Sequence, residues 1–163
     1  MAEHYKVRVS KDYLVFCAAH FITYDGDTCE RLHGHNYRAS VEVEGPLDEN
    51  YYVVDFIALK DLVRELTNEL DHRMLLPTRS RSIRVEEKGD SVEVRFEDRR
   101  WSFPRDDCVL LPLENTTAEL LARWLGERIR ADLARRMGAA PAVVRVEVEE
   151  SFGQSAICEL TDH

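Results

Sequence analysis

Cys29-Glu30-Arg31-Leu32-His33-Gly34-His35-Asn36-Tyr37-Arg38-Ala39-Ser40-Val41-Glu42-Val43-Glu44-Gly45 is the stretch that decides how this chain folds. Tyr37, Ala39, Val41 and Val43 share one parity, so a long strand is predicted from about His33 to Glu44, and Gly45-Pro46 ends it. Upstream, Tyr13 to Ala19 is also strand-like, and the loop between them contains Asp25, Gly26 and Asp27. An antiparallel hairpin follows. The period of two puts the imidazoles of His33 and His35 on one side. His20 ends the preceding strand, and a hairpin sets the end of one strand beside the start of the next. Three imidazoles therefore converge.

Outward from this hairpin, Tyr5 to Val9 alternates as a short strand. From Asp55 the period changes: Phe56, Leu59, Leu62, Val63, Leu66 and Leu70 recur at three and four residues behind a capping Asp55, which predicts an amphipathic helix. A second helix opens with the capping-box pattern Thr116-Thr117-Ala118-Glu119. It carries Leu121, Trp124, Leu125, Ile129 and Leu133 on one stripe and stops at Gly138 and Pro141. Between the helices, Ile83-Arg84-Val85 and Val92 to Phe96 alternate around Lys88-Gly89-Asp90, an inserted hairpin. Val144, Val146 and Val148, then Ala156 to Leu160, give two closing strands. The order ββ, α, hairpin, α, ββ makes a single α+β domain over 1–163, with an inserted region at about 78–113.

At 163 residues the chain can bury a core without disulfide or metal staples, and its 44% apolar content is ordinary. It has neither a secretory signal nor a bilayer-length apolar run, so a cytoplasmic protein with no membrane partner is expected. Cys17, Cys29, Cys108 and Cys158 lack CxxC spacing, which favours reduced thiols. The formal charge of −9 argues against a nucleic-acid partner. Seven arginines between Arg79 and Arg105 form either a local anion-attracting patch or, more simply, a solvated charged hairpin.

Three histidines with an open fourth position are the ligand set of a catalytic zinc, although imidazoles also tolerate other late first-row ions. A closed set with Cys29 as fourth ligand is the competing arrangement. Cys29 lies in a polar loop, where exposure near a cation and Arg31 would lower its pKa and suit it to act as a base. Cys17 and Cys158 fall in strand-like runs and read as small core residues. Asp71-His72 follows the first helix. A carboxylate can orient an imidazole for proton transfer, but neighbours on a helix do not face each other, so a working pair requires the chain to leave the helix there. Glu150 shares the parity of Val144, Val146 and Val148, an expensive place for a charge unless it meets a donor pair, or else the strand end simply projects into water.

Taken together, Ala18-Ala19-His20, the Cys29 to Asn36 stretch, Val54-Asp55-Phe56, Leu70-Asp71-His72, Thr116 to Glu119 and Glu149-Glu150-Ser151 resemble the 6-pyruvoyl-tetrahydropterin synthase family, which includes the 6-carboxy-tetrahydropterin synthases. The resemblance implies a tunnelling fold (T-fold): a four-stranded antiparallel sheet with two helices on one face, assembled as a homo-oligomer, usually a hexamer, with active sites between subunits. It also implies zinc on His20, His33 and His35, catalytic roles for Cys29, Asp71 and His72, and substrate contacts at Glu150, Thr116 and Thr117. The implied substrate is 7,8-dihydroneopterin triphosphate and the first-choice product is 6-carboxy-tetrahydropterin, a queuosine and deazapurine precursor. Formation of a 6-pyruvoyl product, and side-chain cleavage to 6-hydroxymethyl-dihydropterin for folate synthesis, are the alternatives; a pterin-binding module without turnover is the non-enzymatic one. The pattern departs in one place: Glu30 follows Cys29 directly, and a glutamate three residues before HGH marks the side-chain-cleaving group that lacks the cysteine. Glu30 is thus either a second base or an ordinary loop charge.

Overall fold

The computed structural model describes residues 1–162. Strands β1 (Tyr5–Val9), β2 (Val15–His20), β3 (Thr23–Tyr24), β4 (Thr28–Cys29) and β5 (His33–Gly45) lead into helix α1 (Phe56–Leu70). Then come β6 (Arg73–Pro77), β7 (Arg84–Lys88), β8 (Ser91–Phe96), β9 (Arg99–Pro104), β10 (Cys108–Leu111), helix α2 (Ala118–Met137), β11 (Val143–Ser151) and β12 (Gln154–Thr161).

β5 organises the sheet. Along one edge it carries β2 and β1 end to end, with His33 opposite His20 at its start and Gly45 opposite Tyr5 at its finish. Along the other edge it carries β11, with Arg38 opposite Glu149 and Glu44 opposite Val143. β12 lies outside β11, while β6 and β10 extend the β2 side by parallel pairing, giving seven strands in all. The expected four-stranded antiparallel sheet is therefore the centre of a larger mixed one. Met74-Leu75-Leu76 and Val109-Leu110-Leu111 are continuous apolar runs, as suits strands covered on both faces, and they carry no alternation for the eye to catch.

The helices form where their caps and stripes predict, with two differences. Asp55 caps α1 by accepting from the amides of Ile57 and Ala58 at 2.7 and 3.1 Å. Leu59, Leu62, Val63, Leu66 and Leu70 are buried, but Phe56 is 52% exposed. A helical side chain covers the turn that precedes it, and the first residue has none. α2 is capped by Thr117, which accepts from the Leu120 amide at 3.4 Å, rather than through a box between Thr116 and Glu119. Thr116 is fully buried. α2 ends on Gly138, whose φ of +78° is the left-handed stop that glycine adopts without strain.

The helices pack on one face of the sheet over a core that includes Phe16, Tyr37, Val41, Leu75, Leu121, Leu125, Val144 and Val146. The inserted region covers part of the other face. It is a three-stranded meander, β7-β8-β9, instead of a two-stranded hairpin. The third strand spans only Arg99 to Pro104, so its alternation of Trp101 and Phe103 with Arg100 and Ser102 is brief. Ile83, Val92, Val94 and Phe96 pack with Phe21, Cys29, Met74 and Leu76 in a second apolar cluster. β6 serves both sides, sending Leu75 to the helices and its neighbours Met74 and Leu76 to the meander. Cys17, expected in the core, is exposed, because its parity is opposite to that of Phe16 and Ala18. Among the described residues no helix is long and apolar enough to cross a membrane.

Candidate metal centre and active site

The β2–β5 register brings His20, His33 and His35 together as the hairpin argument requires. Their rings make edge-to-face pairs with centroids 4.8 to 5.2 Å apart, and His20 is 1% exposed. Glu150 joins them at the end of β11, with its carboxylate 2.8 Å from His35 Nε2 and 4.0 Å from His20 Nε2. Candidate ligand atoms of all four residues lie within 4.8 Å of one another. Gly34 keeps the hairpin tight: a Cβ there would stand 3.1 Å from the Ala18 carbonyl oxygen.

The hydrogen bonding around the cluster fits a cation. His20 Nδ1 lies 2.8 Å from the Thr116 carbonyl, and His33 Nδ1 lies 2.8 Å from the Arg31 carbonyl. A carbonyl only accepts, so each Nδ1 carries a proton, and a ring in its neutral form then has its lone pair at Nε2. Those two Nε2 atoms are 3.2 Å apart. Two lone pairs at that separation repel unless a positive charge lies against both. Burial pushes the His20 pKa down, its Thr116 hydrogen bond opposes this, and His33 and His35 reinforce the fall. The ring stays neutral, as a metal ligand must. His35 Nε2 is buried, and the polar group set against it is the Glu150 carboxylate. Three nitrogen donors and an adjacent carboxylate suit zinc or another late first-row ion.

Tyr37 supports the cluster from below. It is fully buried and stacked on Phe16 at 4.7 Å, and its hydroxyl lies 3.2 and 3.3 Å from the two ring nitrogens of His20. Burial, with Glu150 and Glu30 adding to it, drives its pKa upward. Sequence reasoning counted Tyr37 as an apolar strand residue. Its place two residues beyond His35, with the same parity, was the available signal.

Cys29 and Glu30 face different surroundings. The Cys29 thiol is only 9% exposed and packs in the second apolar cluster, so burial raises its pKa, partly offset by Arg99. The expected exposed, acidified thiol is therefore corrected, because Phe21 and the meander enclose it. The Glu30 carboxylate stands 3.8 Å from His33 Nε2 and accepts from the Ile22 amide at 3.3 Å. It is turned toward the histidines.

Asp71 and His72 form the pair that sequence adjacency alone made doubtful. The helix ends at Asp71, His72 takes a left-handed φ of +56°, and its Nδ1 meets Asp71 Oδ2 at 2.8 Å. Burial works against the Asp71 carboxylate, yet the Cys17 amide and the His72 ring outweigh it and hold its pKa low. His72 opens on a cleft of about 420 Å³ bounded by Cys17, Ala19, Leu32, Gly34 and Phe103. Cys17, Ala19 and Gly34 have the parity opposite to the three histidines. The dyad and the histidine cluster of one chain thus belong to opposite faces of the sheet. Thr116 and Thr117 are used internally: the Thr116 carbonyl orients His20, and Thr117 caps α2.

Comparison with known proteins agrees with this geometry. The 6-pyruvoyl tetrahydropterin synthase family model matches residues 8–161. A Methanocaldococcus jannaschii protein assigned as a 6-carboxy-5,6,7,8-tetrahydropterin synthase is 33% identical over 145 residues, 88% of each chain. A Pyrococcus furiosus dihydroneopterin monophosphate aldolase is 30% identical over 118 residues, 72% of this chain and 71% of that one. Among solved structures, the 6-pyruvoyltetrahydropterin synthase of Plasmodium vivax, in a form with a catalytic glutamate changed to alanine, superposes with a TM-score of 0.89 and 30% identity, covering 99% of this chain and all of the other. With residues 8–161 matched by the family model and 99% of the chain matched in fold, this chain belongs to the 6-pyruvoyl tetrahydropterin synthase family.

Proposed function

We propose that the protein is a zinc-dependent 6-carboxy-5,6,7,8-tetrahydropterin synthase acting on 7,8-dihydroneopterin triphosphate in the queuosine and deazapurine route. The observation that carries the reading is the meeting of three imidazoles with Glu150 at one corner of the sheet, in a chain whose relatives include proteins assigned that activity. His20, His33 and His35 would hold the ion, which supplies Lewis acidity toward the substrate's side-chain hydroxyls. Glu150, 30% exposed on its side chain, anchors the pterin through the adjacent amino and ring N–H donors, a paired arrangement a carboxylate accepts well. Cys29 and His72 hold and move protons, with Asp71 fixing the His72 ring. Water is consumed, and triphosphate and acetaldehyde leave.

The separation of Asp71–His72 from the histidines across the sheet supports a homo-oligomer in which one chain's dyad serves another chain's metal site. A second reading, side-chain cleavage to 6-hydroxymethyl-dihydropterin, is favoured by Glu30, whose carboxylate and not the Cys29 thiol is turned toward His33.

Incubation of the zinc-loaded protein with 7,8-dihydroneopterin triphosphate, followed by mass analysis, tests the proposal. Acetaldehyde and 6-carboxy-tetrahydropterin are expected. Substrate binding without consumption would instead indicate a binding module. In the same assay Glu150→Gln turns one acceptor oxygen into a donor and is expected to raise KM by roughly 100-fold with zinc content intact. Loss of zinc from this variant would make Glu150 a metal ligand and remove it as the anchor.

A further inference from the structure

Besides enclosing the Cys29 thiol, the inserted meander bonds to the backbone of the catalytic loop through Arg99. Arg99, at the start of β9, donates from Nη1 to the Cys29 carbonyl at 2.8 Å and from Nη2 to the Glu30 carbonyl at 3.2 Å. The planar fork of a guanidinium holds two successive carbonyls in fixed relation, which an ammonium cannot do. Arg99 is itself braced: its guanidinium carbon lies 4.7 Å over the Trp101 ring, and Trp101 stacks at 4.6 Å on Phe21, the neighbour of His20. The loop has other ties: the Ile22 amide donates to the Glu30 carboxylate at 3.3 Å, His33 Nδ1 to the Arg31 carbonyl at 2.8 Å, and Asn115 bonds the Thr23 backbone. β3 and β4 are two residues each, and the Glu30 amide bonds back to the Ile22 carbonyl at 2.9 Å.

One guanidinium reaching two successive carbonyls fixes the peptide between them, at the point where β4 ends. Fixing the carbonyls of Cys29 and Glu30 therefore fixes which side chain goes where, here the thiol into the apolar cluster and the carboxylate toward His33. We infer that Arg99 is a positioning residue, through which the meander acts as a clamp that sets the orientation of the Cys29–Glu30 pair. This rests on the reading of that pair as the catalytic one; the clamp itself is a statement about the loop and is measurable without turnover.

The test compares Arg99→Met and Arg99→Lys with Arg100→Met, an exposed neighbour on the same strand. In Arg99→Met, hydrogen exchange of the segment around Cys29 to Leu32 is expected to speed up roughly tenfold while α2 exchanges as in wild type. kcat is expected to fall by about 10–100-fold with KM within a few-fold, and the ratio of pterin products to change. Arg99→Lys should fall between, since one ammonium cannot satisfy both carbonyls, and Arg100→Met should match wild type in every readout. Loop exchange unchanged in Arg99→Met would overturn the clamp. So would a loss matched by equal acceleration throughout α2, which would mean general unfolding. If wild type consumes no pterin, the proposed function fails, and the exchange comparison alone decides the clamp.

Discussion

Replacing His33 by alanine is expected to abolish turnover and to cost at least about 100-fold in zinc affinity while the domain stays folded. Removing a partner that only orients a ligand already costs roughly 10–100-fold, and His33 offers its own lone pair beside that of His20. Retention of the fold follows from where the residue sits. His33 is partly exposed at the start of β5, and the apolar core is built from Tyr37, Ala39, Val41, Val43 and the two helices, none of which needs the imidazole. Metal analysis of the dialysed variant, its thermal unfolding and its activity separate the possibilities. A variant that binds no zinc and melts within a few degrees of wild type fits a catalytic site. One that unfolds on metal loss marks the ion as structural.

The second large effect concerns the adjacent bases. Cys29→Ala is expected to eliminate the carboxy product, by more than about 100-fold, and to leave measurable 6-hydroxymethyl-dihydropterin, which Glu30→Ala in the same chain then removes. The thiol lies in an apolar cluster that pushes its pKa up, whereas the carboxylate already faces the histidines at 3.8 Å. A thiol and a carboxylate differ in reference pKa by about four units, so they abstract protons under different conditions. The thiol channel should gain as pH rises toward the elevated thiol pKa. Product profiles of the single and double variants at several pH values read this directly. Should Glu30→Ala match wild type while Cys29→Ala yields no pterin product, Cys29 alone carries the chemistry.

The parts of the fold that the sequence discloses are those whose signal is local. The β2–β5 hairpin, the cap at Asp55, the stop at Gly138 and the parity of Glu150 each depend on residues a few positions apart, and each stands where the pattern places it. The histidine cluster is legible for the same reason, being the product of a hairpin register. The environment of Cys29 is not. Its enclosure comes from Phe21 nearby and, chiefly, from Met74 and the meander, segments distant in sequence, so a polar-looking loop is read as exposed. β6 and β10 are missed because strands covered on both faces lose the alternation that marks a strand. The Asp71–His72 contact needed one backbone event, the left-handed turn at His72, which no periodicity announces.

The end-to-end seating of β1 and β2 on one edge of β5, with β11 on the other, also orders events in time. The histidines lie within a short hairpin that a ribosome delivers early, and hairpins close in microseconds. Glu150 reaches the same corner only through the β5–β11 ladder, whose partners are 99 to 111 residues apart and wait for both helices to be made. At roughly 5–20 residues per second that interval is on the order of ten seconds. A nascent chain thus completes its three-imidazole cluster long before Glu150 can join it.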